Sequence, residues 1–244
     1  MTESSGATNA RPDRLAHDLG DLARELHRAE APDDVLRELV QGAIELVPGA
    51  QDGSVTTLVV GEHVSHKAES GTLPARISSL MSELGEGPCL DALRDHRRVI
   101  RVDDMRTETR WPQFAPQAAA LGALSVLAFP LFVQENNLCA LNLYADKPHA
   151  FSDESEQIGC LIAVHAAVAY ADAQRAENLL AALETRDKIG QAVGLLMERY
   201  SITSDRAFET LVRFSRQTNR KLRDVAAELI MDAEAGAHRP TAND

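Results

Sequence analysis

Residues 124–144 read LSVLAFPLFVQENNLCALNLY. Two strongly apolar runs, 124–133 and 138–144, flank Gln134-Glu135-Asn136-Asn137, and Asn136-Asn137 supplies turn chemistry, so the stretch is a β-hairpin. The chain before it adds strands and helices. Residues 54–60 are β-branched and apolar, Gly61-Glu62 forms a turn, and residues 63–69 run back as a second strand. Residues 99–102 read as a strand. Helical periodicity covers residues 73–84 and 89–96, with the breaker Gly85-Glu86-Gly87-Pro88 between them, and a further helix starts at Trp111-Pro112 and runs to about residue 121.

Two helices precede all of this. Residues 13–30 place Leu15, Leu19, Leu22 and Leu26 on one face. Pro32-Asp33-Asp34 opens the second, since Pro suits the first turn and acids suit the helix dipole. Val35, Leu36, Leu39, Val40, Ile44 and Val47 form its apolar face, and Pro48-Gly49 stops it. The order helix, helix, strand, strand, helices, strand, strand, helix gives an α+β fold: an antiparallel sheet flanked by helices.

The helical signal returns at Ser152, which can cap a helix carrying Asp153 and Glu154 in its first turn. The pattern runs through Ile158, Leu161, Ile162 and Val168 to Leu183, and no proline occurs between Pro148 and Pro240. His165 and Asp172 interrupt a heptad seam, so residues 158–169 are expected to pack on the sheet or a partner. A long helix then continues into the C-terminal segment.

That segment, residues 179–230, reads LLAALETRDKIGQAVGLLMERYSITSDRAFETLVRFSRQTNRKLRDVAAELI. It divides into three amphipathic helices. Leu179, Leu183, Ile189, Val193, Leu196 and Met197 give the first its apolar side; Ala192 and Gly194 are small enough for another helix to approach. Tyr200-Ser201 ends it, and Thr203 or Ser204 caps the second, whose Ala207, Phe208, Leu211 and Phe214 are expected to point inward. Leu222, Val225, Ala226 and Leu229 do the same for the third.

Charge separates this segment from the rest. The net charge is −12; residues 179–230 hold nine basic and seven acidic groups, which leaves −14 on the remainder. From Arg206 to Arg223 there are six Arg or Lys and one acid, Glu209. Such a local excess on an acidic protein favours a polyanion as partner, RNA foremost. Arg213, Arg216, Arg220 and Lys221 cluster near the second helix's end, with Ser215, Thr218 and Asn219 among them as hydrogen-bonding groups. Guanidinium groups pair with phosphates or stack on unpaired bases, and Asn can read a base edge. The bland alternative is a solvated basic face on which Asn219 only caps the third helix. Lys188 and Arg186 are second-rank candidates on the first helix.

The pieces Ile189-Gly190-Gln191-Ala192-Val193-Gly194-Leu195-Leu196-Met197, Ala207-Phe208, Leu211, Ser215, Asn219, Leu222 and Ala226 keep the spacing of the ANTAR domain, which this segment resembles over its whole length. The family commonly has Lys where this chain has Val193. ANTAR domains are small all-α RNA-binding modules of transcription antiterminators. The resemblance implies a three-helix module over residues 183–232, structural roles for Ala192, Gly194, Met197, Ala207, Phe208 and Leu211, and a homodimer gripping paired hairpins of a nascent transcript.

Residues 33–170 are similar to a GAF domain. Gly85-Glu86-Gly87-Pro88-Cys89-Leu90-Asp91-Ala92, Val102-Asp103-Asp104, Trp111-Pro112-Gln113-Phe114, Phe129-Pro130-Leu131 and Ala140-Leu141-Asn142-Leu143-Tyr144 carry the likeness. It implies a sensor with a small-molecule ligand over the sheet. The expected organisation is therefore a disordered N-terminus at 1–12, a GAF-like domain with its N-terminal helix at 13–170, a connecting signalling helix at 171–182, the ANTAR module at 183–232 and a disordered tail at 233–244. In the implied mechanism a signal shifts populations between states that present or hide two RNA-binding ends.

Other chemistry is set aside. Cys89, Cys139 and Cys160 are odd in number and scattered, which argues against a disulfide framework or a zinc site. Residues 1–13 lack the apolar core of a signal peptide, and no apolar run reaches a membrane span, so a cytoplasmic, reduced protein is expected. No nucleophile elbow, Walker loop or metal cluster is present; no catalytic residue, metal or cofactor is expected. Cys89 at a helix start could be reactive, but burial is the reading taken. His63 and His66, three apart in a strand, would face opposite sides. Asp103-Asp104 are read as turn residues, Trp111 as an anchor on the core, and His165 as partly buried. The competing function is a small-molecule sensor acting through protein–protein contacts of its helical tail. Catalysis of methionine sulfoxide reduction would need closely arranged cysteines.

Overall fold

The computed structural model describes residues 10–59, 64–94, 99–134 and 137–237. The expected Gly61-Glu62 turn, the His63–His66 comparison and the Glu135-Asn136 part of the hairpin turn lie outside the residues or side chains described. The elements are α1 (Ala10–Arg28), α2 (Pro32–Leu46), β1 (Asp52–Val59), β2 (Val64–Glu69), α3 (Thr72–Leu84), α4 (Pro88–Arg94), β3 (Ile100–Val102), α5 (Phe114–Leu121), β4 (Ser125–Gln134), β5 (Asn137–Ala145), α6 (Asp153–Tyr200), α7 (Ser204–Thr218) and α8 (Leu222–Ala237). The chain divides into two compact units, Met1–Arg175 and Ala176–Asp244, and the division falls within α6.

The first unit is built on a five-stranded sheet of order β2-β1-β5-β4-β3, with every recorded pairing antiparallel. The period of two along each strand serves two cores. On one face Leu127, Phe129, Leu131, Cys139, Leu141 and Leu143 meet α1, α2 and the first half of α6. On the other, Val126, Ala128, Ala140 and Tyr144 meet α3, α4 and α5. Burial on both faces is why residues 124–144 read as near-continuous apolar runs.

The breaker between α3 and α4 places three elements at once. Gly85 adopts φ 65 and ends α3, its N–H bonded to the Met81 carbonyl at 2.9 Å. The Glu86 carboxylate accepts the N–H groups of Gln113 and Phe114 at 3.0 and 3.1 Å and so caps α5. This is why α5 starts at Phe114 and not at the expected Trp111-Pro112. At Gly87, φ 140 and a Met81 Cγ 2.8 Å from where a Cβ would stand both require glycine.

Ser152 opens α6 as expected: its Oγ accepts the Ser155 N–H at 3.3 Å, while Ser155 Oγ accepts the Ser152 N–H at 3.0 Å. Ile158, Ile162, Ala166, Ala169 and Ala173 turn to the core, and Leu161, Val164 and Val168 face outward. His165, expected to be partly buried, is exposed on that outer side.

Candidate nucleic-acid interface

The second unit has a small core. Ala192 and Leu196 of α6, Ala207 and Leu211 of α7, and Val225 and Ala226 of α8 are its buried residues. Alanine on each of three helices lets their backbones approach closely. Val193 is half-buried and packs at the border of this core, so its apolar side chain has a structural role here.

Chain direction is set by two left-handed residues. Ser201 (φ 50) ends α6, and Asn219 (φ 52) ends α7. At α7 the Arg220 N–H bonds to the Ser215 carbonyl at 3.1 Å and the Asn219 N–H to the Arg216 carbonyl at 3.4 Å, the bond pattern of a Schellman terminus. Asn219 therefore closes the second helix and does not cap the third, because Asn tolerates the left-handed region better than other non-glycine residues. The Lys221 carbonyl opens α8, accepting the N–H groups of Asp224 and Val225 at 2.9 and 3.2 Å. Thr203 occupies the N-cap of α7 without a side-chain cap bond.

The polar candidates sort into two groups. Ser215 Oγ donates to the Arg220 carbonyl at 2.6 Å, and Thr218 Oγ1 to the Phe214 carbonyl at 2.8 Å. The Arg220 guanidinium pairs with Glu228 at 2.6 Å. These three are engaged inside the module. Arg213, Arg216, Lys221 and Lys188 are exposed, with no ion pair among the described residues. Lys188 stands on α6, apart in sequence from the cluster at the α7 terminus; Arg186 lies 3.7 Å from Asp187. Arg213 and Arg216, three apart, share one side of α7, at the helix end where the dipole favours cations. Arg206, seven before Arg213, lies on the same side and is equally free. In sequence Arg206 counts toward the basic excess but stands outside the cluster; its heptad spacing from Arg213 is the signal that aligns it with the other candidates.

Several residues expected to point inward do not. Phe208 and Phe214 are 45% and 47% exposed, whereas Ala207 and Leu211 are 0% and 3%. Leu179, Leu183 and Met197 are exposed as well. Around Gly194, expected to admit a neighbouring helix, there is open space where a Cβ would sit. A core of six buried residues closes around only part of each apolar stripe, so the stripe margins stay in solvent.

The first unit holds a second constellation, on the α3–α5 side of the sheet. Ser54 Oγ and Tyr144 OH lie 3.2 Å apart, and Asn142 Nδ2 donates to Thr56 Oγ1 at 3.3 Å. Ser78 Oγ and Asn142 Oδ1 are buried with no hydrogen-bond partner among the described residues. Trp111 is a buried anchor: its Nε1 donates to Asp91 at 3.0 Å, its ring meets Phe114 edge-on, and Arg110 stacks 4.5 Å from its centroid. Asp104 accepts the Arg106 N–H at 3.0 Å, a turn role. A buried, unpartnered hydroxyl costs stability, so Ser78→Ala is expected to stabilise the protein by about 1 kcal/mol in urea unfolding. A loss of stability would mean the hydroxyl is satisfied.

Burial pushes the Cys89 thiol up to about 11 and the Cys139 thiol up to about 12, so both are protonated and unreactive at neutral pH. Cys160 is half-buried and shifted the same way. A thiol reagent at pH 7.5 should modify Cys160 slowly and the other two only after denaturation, read by intact mass. Because both folded values exceed the ordinary 9.0, this contribution to stability is complete below pH 9 and is lost as pH rises toward 11–12. No cluster of three or more His, Cys, Asp or Glu able to hold a metal occurs among the described residues, and no helix of theirs is long and apolar enough to cross a membrane.

Comparison with known proteins matches both units. A GAF domain profile matches residues 29–171 and an ANTAR domain profile residues 177–230. No curated protein matches the chain. Among solved structures it is similar to the GAF domain of a phosphoenolpyruvate-protein phosphotransferase from Coxiella burnetii, at 20% identity over 70% of this chain and 98% of that one, TM-score 0.53. The corresponding Acinetobacter GAF domain follows at 15% identity over 68% and 98%, TM-score 0.53. The free methionine-R-sulfoxide reductase of Neisseria meningitidis, solved with its substrate, is similar at 13% identity over 74% and 99%, TM-score 0.52. At such identities the likeness shows the fold alone.

Proposed function

The chain belongs to the GAF domain family and carries an ANTAR domain behind the GAF domain, and on that premise we propose a signal-responsive protein that holds an antiterminator hairpin in a nascent transcript. The ANTAR domain makes it an RNA-binding antitermination regulator, and the GAF domain is a sensor. GAF and ANTAR are regulatory sensor and RNA-binding domains, and no chemical step is assigned.

The observation that carries the reading is the group of cations along one side of α7 and in the turn after it. Arg213, Arg216 and Lys221, joined by Arg206, are exposed without carboxylate partners among the described residues, on an otherwise acidic protein. Unpaired guanidinium groups at a helix C-terminus have no internal charge to satisfy, which suits them to phosphate. Asn219 projects from the same turn. Ser215, Thr218 and Arg220 support this surface through their internal bonds, and Lys188 adds charge from α6. The signal is a small molecule held by the GAF domain. Two copies of the chain, acting in the cytoplasm, each contribute one RNA-binding end, and ligand shifts the population of the binding-competent state.

The test is binding of the full chain to an RNA carrying two hairpins, against a scrambled hairpin, at two salt concentrations, with mass followed by light scattering. Selective binding by a dimer that weakens steeply with salt is the expected result. Equal affinity for both RNAs would overturn it. A second reading, contact with another protein through the tail, is favoured by Leu179, Leu180 and Leu183, large apolar side chains exposed on α6. An apolar interface of that kind would be nearly salt-independent.

A further inference from the structure

Ala207, Leu211 and Phe214 are spaced four and three apart and so fall on one side of α7, yet the first two are buried and the third is half in solvent. Phe214 is absent from the core and from the residues packed at its border. The ring stands where the inward stripe of α7 runs past the end of the core. Apart from the buried Leu211, its neighbours around the helix are polar or basic. Arg213 precedes it, Gln217 and Thr218 stand one turn beyond, and Thr210 one turn before, all of them outside the core. Of these, Thr218 and Thr210 spend their hydroxyls on the carbonyls of Phe214 and Arg206. Among the described residues the Arg213 guanidinium and the Phe214 ring are left unpartnered, at consecutive positions about 100° apart around α7.

We propose that Phe214 is the stacking platform for one unpaired base of the RNA, with Arg213 holding the flanking phosphate. This rests on the RNA-binding reading and names a residue that places the base. An aromatic ring offers a flat apolar surface that any base can cover, while the adjacent cation supplies charge without dictating base identity. A duplex stem cannot use such a ring, because its bases are already stacked. The surface therefore selects a loop or bulge. Phe208 is the internal control. It is exposed to the same degree on the same helix, but six residues earlier and about 120° around it.

The experiment uses the full chain and a pool of two-hairpin RNAs with randomised loops, from which a tight binder is selected with the unaltered protein. Phe214→Leu is expected to weaken that RNA by about tenfold, within the range of one lost base stack, and to leave the salt dependence unchanged. Phe214→Trp is expected to restore binding. An abasic site at one loop position should reproduce the loss with the unaltered protein and add nothing to Phe214→Leu. Phe208→Leu should bind within about twofold of the unaltered protein, the size of a neutral surface change. Circular dichroism melting checks that unit folding is retained. Unchanged affinity in Phe214→Leu, an equal loss in Phe208→Leu, or failure of the Trp variant to recover binding would each overturn the stack. If Arg213→Glu abolishes binding in the same assay, the RNA-binding reading survives that failure. Selection of no RNA at all would overturn both.

Discussion

Reversing Arg213 and Arg216 together to glutamate is expected to lower affinity for the two-hairpin RNA by roughly a hundredfold or more. Each side chain is exposed and has no ion pair among the described residues, so each has a full charge to offer phosphate. A charge-assisted hydrogen bond contributes about 1.5 kcal/mol or more, near tenfold in affinity, and replacing the cation with an anion adds repulsion. The slope of log affinity against log salt should also become shallower by about 0.7–0.9 for every phosphate that is no longer neutralised. Weaker binding with an unaltered salt slope would point to misfolding and not to the removal of phosphate pairing. Ser215→Ala and Thr218→Ala are expected to act through stability instead, since their hydroxyls are bonded to the carbonyls of Arg220 and Phe214. Unchanged RNA binding in the double reversal would remove the α7 surface from the site.

Gly159→Ala should be among the most damaging single changes in the first unit. Gly159 lies on the buried side of α6, and an added Cβ would stand 2.6 and 2.8 Å from Cε2 and Cε1 of Phe129, closer still to Cζ. The Phe129 ring is itself buried in the sheet–helix core. Helix propensity favours alanine here by about 1 kcal/mol, but overpacking against a buried aromatic ring costs more. A net loss of about 3 kcal/mol is expected, which corresponds to a fall in Tm of roughly 6–12 °C for a domain of this size. Thermal melting of Gly159→Ala, Phe129→Leu and the double variant checks it. The smaller ring-free side chain should relieve the clash, so the double variant is expected to be more stable than the sum of its parts implies. Simple additivity would show that the two residues do not meet.

The degree to which the fold was legible follows from the range of the interactions involved. The β4–β5 hairpin, the two helices before β1 and the start of α6 at Ser152 were readable because each depends on neighbours within one or two turns. The start of α5 was not. Glu86 caps it from 27 residues away, and no local pattern around Trp111 records that bond. The RNA-facing surface was legible as a basic excess and in its principal residues, but the division into free and engaged groups was not. Arg220 looks like Arg216 in sequence; only the position of Glu228 on α8 distinguishes them. Arg206 is distant from the cluster along the chain, and only helical spacing brings it to the same side of α7.

By itself the sequence determined the α+β class, the order of elements and the contrast between an acidic body and a basic tail, because periodicity, breakers and charge are local properties that survive without coordinates, and its motifs carried the likeness to the two families. It marked Phe208 and Phe214 as apolar positions of α7, and there its authority stopped. Whether an apolar side chain is covered depends on how far the opposing helices extend, and the core formed by α6, α7 and α8 ends short of both rings. The same holds for Gly159 and Gly194, two small residues on one helix. Tertiary structure alone puts Phe129 against the first and open space beside the second, since a glycine carries no pattern of its own and takes its meaning from what approaches it.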